Sequence, residues 1–191
     1  MSGMYQLMPY TDATGRAIIY FRMVRKDLSQ YSMRQELMWL TYLLEIVFQQ
    51  KSLQRRGFVL LIDASNGTRK HYSSQALQCL HRTIEVAFPT IMRSIHVCNA
   101  SPLVNYVIFP VAMRVLSRNA RLRTRLHRDS GDNLLRSLVT FHLPPDRLPS
   151  DMGGCAVLDI NQFIIDRITL EASQAGINLL PAEQVRSPDD A

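Results

Sequence analysis

Six arginines occur within fifteen residues of this chain, and no acidic side chain interrupts them before Asp129. A guanidinium group binds phosphate through paired hydrogen bonds that an ammonium group cannot match. The arginines are Arg114, Arg118, Arg121, Arg123, Arg125 and Arg128. A helix would align Arg114, Arg118, Arg121 and Arg125 on one face, whereas a strand would align Arg121, Arg123 and Arg125. Both arrangements stay open at this level, and either predicts a surface suited to phosphate groups.

The whole chain is basic, which widens the range of partners to consider. Its formal net charge is +6, and 19 of its 22 basic residues are arginine. An anionic membrane is the first partner that this charge favours, and nucleic acid is the second. The arginines lack interleaved aromatic residues, and no recognised RNA-binding or DNA-binding motif occurs. We therefore expect no nucleic-acid partner, while a basic face that contacts only solvent stays an alternative.

The usual signatures of enzymes do not occur in the sequence. There is no GxxxxGK[ST] phosphate loop, no GxGxxG after a strand, no HExxH pair and no GxSxG elbow. Asp63 ends an apolar stretch and is expected to form a turn. His96 and His127 are expected to pack or to form hydrogen bonds. We expect no catalytic residue, no cofactor and no metal site.

Length and composition predict a single globular domain. The chain has 191 residues, of which 47% are hydrophobic. No apolar run approaches the roughly 18 residues that suggest a membrane span, and the N-terminus lacks the pattern of a secretory signal. Three widely spaced cysteines favour a reducing compartment over a disulfide framework. We expect a cytoplasmic monomer.

Hydrophobic patterns alternate between the strand type and the helix type along the chain. We expect strands at 17–24, 58–62, 92–97 and about 125–128, and helices at 33–56, 73–88, 102–116 and 131–141. Strands separated by helices require crossover connections and a mainly parallel sheet. The helix at 102–116 is apolar on nearly all sides, so it must bury both faces or contact lipid.

Five short motifs occur along this framework. They are Gly15-Arg16 before the first strand, Gly57–Asp63, Phe88-Pro89 with Ile95-His96 and Asn99, Pro102 at the start of a helix, and Leu148–Gly154. In this order and spacing they resemble the CRAL-TRIO lipid-binding domain family over about residues 10–170. The resemblance is greatest to its tocopherol transfer protein and retinaldehyde-binding protein branch.

The resemblance implies an α/β fold with a mixed, mainly parallel sheet, flanking helices, an apolar pocket and a mobile lid helix at 102–116. A lid that faces cargo when shut and membrane when open would explain its apolar surface, whereas an ordinary core helix is the alternative. The implied domain spans 10–170, with a C-terminal extension at 171–191 that frays in part. The family's small N-terminal helical subdomain is absent from these residues.

The resemblance also implies site residues and a function. The pocket would be lined by Leu80, Thr83, Ile84, Phe88, Met92, Ile95, Val107 and Ile108. Arg93, Arg121 and Arg125 would bind phosphoinositide headgroups. The resemblance implies a protein that carries one small hydrophobic lipid. Such a protein binds transiently to phosphoinositide-containing membranes and exchanges the lipid there. The alternative is a cargo-free interaction module that binds small GTPases or other partners.

Overall fold

A five-stranded sheet forms the centre of the fold in the computed structural model, which describes residues 3–26, 32–87 and 92–176. The strands lie in sequence order, with the first antiparallel to the second and the others parallel. They are β1 (Tyr5–Leu7), β2 (Ala17–Arg22), β3 (Phe58–Asp63), β4 (Met92–Cys98) and β5 (Thr124–Leu126). The predicted mainly parallel α/β fold is confirmed, and β1 is an addition that the sequence did not suggest.

The described residues form seven α-helices, six in the part of the chain that contains the sheet and one after it. They are α1 (Met33–Gln49), α2 (Lys51–Arg56), α3 (Ser74–Ala87), α4 (Phe109–Val115), α5 (Arg118–Arg123), α6 (Gly131–Val139) and α7 (Ile160–Gln174). A capping box begins α1, in which Ser32 Oγ accepts the Gln35 N–H at 3.3 Å while Gln35 Oε1 accepts the Ser32 N–H at 2.9 Å. The prediction of one continuous helix at 33–56 is wrong, because extended backbone at Gln50 separates α1 from α2.

The strand order determines where the helices lie. Parallel strands joined in sequence by right-handed crossovers place every connecting helix on the same face of a sheet. Here α1 and α2 join β2 to β3, α3 joins β3 to β4, and residues 102–123 join β4 to β5. The crossover helices therefore cover one face, and α6 with the following loop covers the other.

Side chains of the inner strands alternate between these two faces. On β3, Val59 and Leu61 point into a fully buried cluster that includes Leu134 and Leu138 of α6. The intervening residues Phe58, Leu60 and Ile62 point toward the crossover helices. The pairing of β3 with β4 skips Arg93, a β-bulge that lets both Met92 and Ile95 face the crossover helices.

The loop that ends the first compact unit is held together by backbone hydrogen bonds. Ser150 N–H donates to Ala156 O at 2.8 Å, and Ala156 N–H donates to Leu148 O at 2.9 Å. A Cβ on Gly154 would lie 2.2 Å from Leu148 O, so no other residue fits against this backbone. The packing of this loop therefore requires glycine at position 154, the second of the pair Gly153-Gly154.

The chain divides into two compact units, residues 1–158 and 159–191. Within the second unit α7 begins at the Asp159 cap, whose carboxylate accepts the N–H groups of Asn161 and Gln162 at 2.9 and 3.0 Å. The structure places β1 ahead of the predicted start at residue 10. None of the helices described is long and apolar enough to cross a membrane.

Two histidines form a buried chain of hydrogen bonds between β4 and α6. His96 Nδ1 lies 2.9 Å from His127 Nε2, and the outer ring nitrogens bind Ser94 Oγ at 3.0 Å and Ser137 Oγ at 3.1 Å. Burial, with the neighbouring charges, lowers the pKa of His96 to about 4, and burial also lowers the pKa of His127. Both rings are therefore neutral at pH 7, and the expectation that they form hydrogen bonds is confirmed.

This burial makes stability depend on pH. The unfolded chain takes up protons near the ordinary histidine pKa of about 6.5, whereas folded His96 resists protonation down to about pH 4. The free energy of unfolding should therefore be highest above pH 6.5 and should fall between pH 6.5 and 4, by at most about 1.4 kcal/mol per pH unit for each such histidine. Urea denaturation at several pH values measures this free energy.

The variant His96→Gln should weaken this decline because it removes a titrating group. The exposed His142 offers a control, and His142→Asn should retain the wild-type pH dependence. Identical curves for the wild type and His96→Gln between pH 6.5 and 4 would contradict the assignment.

Candidate functional site

An apolar cavity of about 150 Å³ lies between the sheet and the crossover helices. Its floor is formed by strand residues, namely Phe21, Phe58, Leu60, Ile62, Ile95 and Val97. One wall belongs to α1 and α3, through Leu40, Leu77, Leu80 and Ile84. Every crossover contributes to this enclosure, so the cavity follows directly from the fold.

The segment 102–116, which we call the lid helix, closes the cavity. Its inner side contributes Val104, Ile108, Phe109, Ala112 and Leu116. Its outer side exposes apolar residues, because Tyr106 is 75% exposed, Val107 44% and Val111 40%. The apolar character on nearly all sides therefore serves two surfaces, one against the cavity and one against the surroundings of the protein.

A π-helical stretch lies within the lid helix, at Val104–Ile108, and is followed by α4. Pro110 is the second residue of α4, has no N–H and would clash with the carbonyl group one ordinary turn earlier. The wider turn ahead of the proline provides room for its ring. Single π turns are rare and commonly occur at functional sites.

Each end of the lid helix is attached by a small set of contacts. At the start, Ser101 Oγ donates to Gly67 O at 3.0 Å, and a Cβ on Gly67 would lie 2.6 Å from Val104 Cγ2. At the end, the Ser117 N–H donates to His81 Nε2 at 3.0 Å, and Ser117 Oγ donates to Glu85 Oε1 at 2.7 Å. Burial lowers the pKa of His81, which keeps its Nε2 available as an acceptor.

The structure gathers most of the predicted pocket residues around this cavity. Leu80, Ile84, Met92, Ile95 and Ile108 line it. The two other described residues of the predicted set lie elsewhere: Thr83 is partly buried outside the lining, and Val107 belongs to the exposed outer side of the lid helix. Phe88 lies outside the described residues.

Polar groups occupy a small part of the cavity wall that the sequence did not reveal. Lys26, His71 and Tyr72 contribute there, together with Tyr5. Lys26 Nζ donates to Glu36 Oε1 at 2.7 Å, and the Tyr5 hydroxyl donates to the same oxygen at 3.0 Å. No motif links these residues, and only the tertiary fold brings them together.

The arginine-rich segment is neither one helix nor one strand. Arg118 and Arg121 lie on α5, the chain becomes extended at Thr124, and Arg125 lies on β5. Arg121 and Arg125 are exposed. Within the described part of the chain, no carboxylate lies at ion-pair distance from either residue. Both guanidinium groups are therefore accessible to an anionic partner.

Three arginine side chains, those of Arg93, Arg123 and Arg125, donate hydrogen bonds to backbone oxygens. Arg93 donates to Arg56 O at 3.0 Å and to Arg55 O at 3.2 Å, at the end of α2. Arg125 donates to Leu122 O at 2.8 Å, and Arg123 donates to Met92 O at 2.7 Å. Arg93 and Arg125 are exposed at the surface. The headgroup-binding roles of Arg93, Arg121 and Arg125 stay a prediction.

Comparison with known proteins places this geometry in context. The family model described as CRAL/TRIO domain matches residues 1–154. Clavesin-2 of Homo sapiens is 33% identical over 146 residues, which cover 75% of this chain and 43% of clavesin-2. Clavesin-1 of Xenopus laevis is 30% identical over 157 residues, which cover 81% and 46%. The chain thus spans less than half the length of these relatives.

A solved structure described as the crystal structure of Sfh5 shares the fold. It superposes with a TM-score of 0.56 at 11% sequence identity, covering 88% of this chain and 64% of that one. At this identity the likeness concerns the arrangement of helices and strands alone.

Exposed apolar residues and few end contacts predict that the lid helix opens more readily than the sheet. In hydrogen exchange with anionic vesicles present, amides of the lid helix should exchange faster than those of β3, which pairs with a strand on each side. Mass spectrometry of peptides from 102–116 and 58–63 measures the difference. Equal protection of both segments would instead identify an ordinary core helix.

Proposed function

Because this chain belongs to the CRAL/TRIO domain family of lipid-binding and lipid-transfer domains, we propose that it carries one hydrophobic lipid in its cavity and exchanges it at phosphoinositide-containing membranes. The observation that supports this most is the apolar cavity beneath a helix that is apolar on both sides. The family predicted from the five motifs is confirmed, and the tocopherol and retinaldehyde branch stays a prediction.

The size of the cavity suggests how loading proceeds. A dry cavity of about 150 Å³ accepts a molecule the size of benzene, whereas sites for larger organic ligands occupy roughly 300–1,000 Å³. The cavity here has the smaller volume. A lipid with a chain or several rings therefore requires displacement of a wall, and the lid helix is the wall with apolar residues on both faces.

The segment that follows the lid helix supports release at an anionic surface. Ser117 joins the lid helix directly to α5, which carries Arg118 and Arg121. Each exposed basic residue near such a surface contributes roughly 1 kcal/mol of attraction. Opening beside a membrane would place Tyr106, Val107 and Val111 against lipid. Transient association of a cytoplasmic protein with membranes follows from this proposal.

A cargo-free interaction module of the same fold would have a filled interior. The cavity favours the carrier over this alternative. Native mass spectrometry of the purified chain, followed by lipid extraction, tests for cargo directly. Absence of any lipid uptake, together with a protein that competes for the arginine face, would favour the interaction module.

A larger side chain in the cavity should block cargo. Ile84 of α3 is buried in the wall, so Ile84→Trp should lower lipid loading at least about tenfold while circular dichroism shows the fold intact. Val86 on the same helix is 86% exposed, and Val86→Trp is the matched control that should load normally. Normal loading of folded Ile84→Trp would show that cargo does not bind in this cavity.

Charge reversal in the arginine-rich segment should weaken membrane binding. Loss of two attractive contacts alone predicts a roughly 30-fold lower affinity, and repulsion of the two added carboxylates lowers it further. Arg121→Glu/Arg125→Glu should therefore bind phosphoinositide-containing vesicles at least about 30-fold more weakly, measured by flotation at moderate salt. Cargo affinity should not change, because neither arginine lines the cavity. Arg34→Glu/Lys51→Glu is the control for net charge, since both side chains are exposed outside this segment. An equal loss in the control, or no loss, would contradict a specific role.

A further inference from the structure

The polar groups of the cavity wall come from turns that pack against each other. Lys26 follows the 3-10 turn Met23–Arg25, which contacts the 3-10 turn Arg69–His71. His71 and Tyr72 line the same cavity as Lys26. We call Lys26, His71 and Tyr72 the polar corner. The rest of the wall is predominantly apolar, so this corner distinguishes one part of the cavity from the others.

The charge of Lys26 is balanced inside the protein. Its ammonium group binds Glu36, and the two side chains are 9% and 4% exposed. Tyr5 donates to the same carboxylate, and burial together with Glu36 raises the pKa of Tyr5 well above its usual value. The hydroxyl therefore keeps its proton, and the network carries no net charge.

The side chains of Tyr72 and His71 can donate hydrogen bonds to a ligand. The Tyr72 hydroxyl is shielded from solvent and has no hydrogen-bond partner among the described residues. Burial raises the pKa of Tyr72, so the hydroxyl is a neutral donor and acceptor at pH 7. His71 Nδ1 accepts the Thr68 N–H at 3.1 Å, which places the ring proton of the neutral imidazole on Nε2. A buried hydroxyl without a partner is unfavourable and is satisfied when a ligand supplies one.

We infer that the polar corner recognises an uncharged oxygen, a hydroxyl or a carbonyl, at one end of the hydrophobic ligand, with the Tyr72 hydroxyl as its direct contact. This inference rests on the proposed lipid binding. A carboxylate or phosphate group would bring a second negative charge toward Glu36, while Lys26 is already neutralised. In a weakly polar interior that uncompensated charge is strongly unfavourable. The corner therefore selects neutral amphiphiles over both hydrocarbons and lipid acids.

Three ten-carbon probes separate these possibilities: 1-decanol, decane and decanoate, each delivered from cyclodextrin and measured by displacement of Nile red. The wild type should bind 1-decanol more tightly than either other probe. Tyr72→Phe removes one oxygen and keeps the ring, so the affinity for 1-decanol should fall about fivefold, as expected for one hydrogen bond. Decane should bind this variant as well as the wild type or better. Tyr10→Phe, at an exposed tyrosine outside the cavity, should change nothing.

A second variant tests the balance of charge. Glu36→Gln keeps an acceptor for Lys26 and Tyr5 but removes the negative charge, so a ligand carboxylate can become the partner of Lys26. Decanoate should then bind at least tenfold more tightly than it binds the wild type. This gain in affinity is not expected from a variant that merely loosens the fold.

The outcomes separate the inference from the function on which it rests. If the wild type binds none of the probes, the proposed lipid binding fails and the inference fails with it. If the wild type binds 1-decanol and decane equally, or if Tyr72→Phe leaves their ratio unchanged, lipid binding stands and the polar corner is overturned. Unchanged decanoate binding in folded Glu36→Gln overturns the selection against acids.

Discussion

The order of the parallel strands is the constraint on which the rest of the structure depends. Four parallel strands that follow one another in sequence send all of their right-handed crossovers to one face of the sheet. Helices of three separate crossovers must then share that face. They meet around Phe58, Leu60 and Ile95 without filling the space above them, so the cavity is a consequence of chain topology.

The two faces of the sheet consequently differ in how they are packed. The face beneath α6 is a continuous core in which Tyr20, Leu61 and Leu138 are fully buried. The His96–His127 pair extends this closed packing toward β5, with both rings hydrogen-bonded at each end. A rigid face of this kind allows the other face to carry an incompletely filled interior, because the sheet does not depend on the lid helix for its position.

Local patterns predicted the framework, and tertiary contacts decided the details of the site. Alternating periodicities were sufficient for β2, β3, β4 and most helices, because each forms from residues that are neighbours in sequence. The extended break at Gln50 and the π turn ahead of Pro110 each interrupt a regular helix, and neither follows from the local apolar pattern. Val107, which the family resemblance placed in the pocket lining, lies on the exposed side of the lid helix. The polar corner joins Lys26 to His71 and Tyr72, which lie about 45 positions later in the sequence, so no motif could reveal it.

In the proposed lipid carrier, the partly empty interior would couple the lid helix to its cargo. Inner residues such as Ile108 and Leu116 border free space, so they forgo part of the dispersion energy that a filled core provides. A ligand in that space supplies the missing contacts only while the helix is closed. It therefore shifts the equilibrium toward closure by its difference in affinity between the two states. Under the proposed function, a membrane that covers Tyr106 and Val111 would stabilise the open state by the same principle, and the two opposed preferences would make release depend on contact with a membrane.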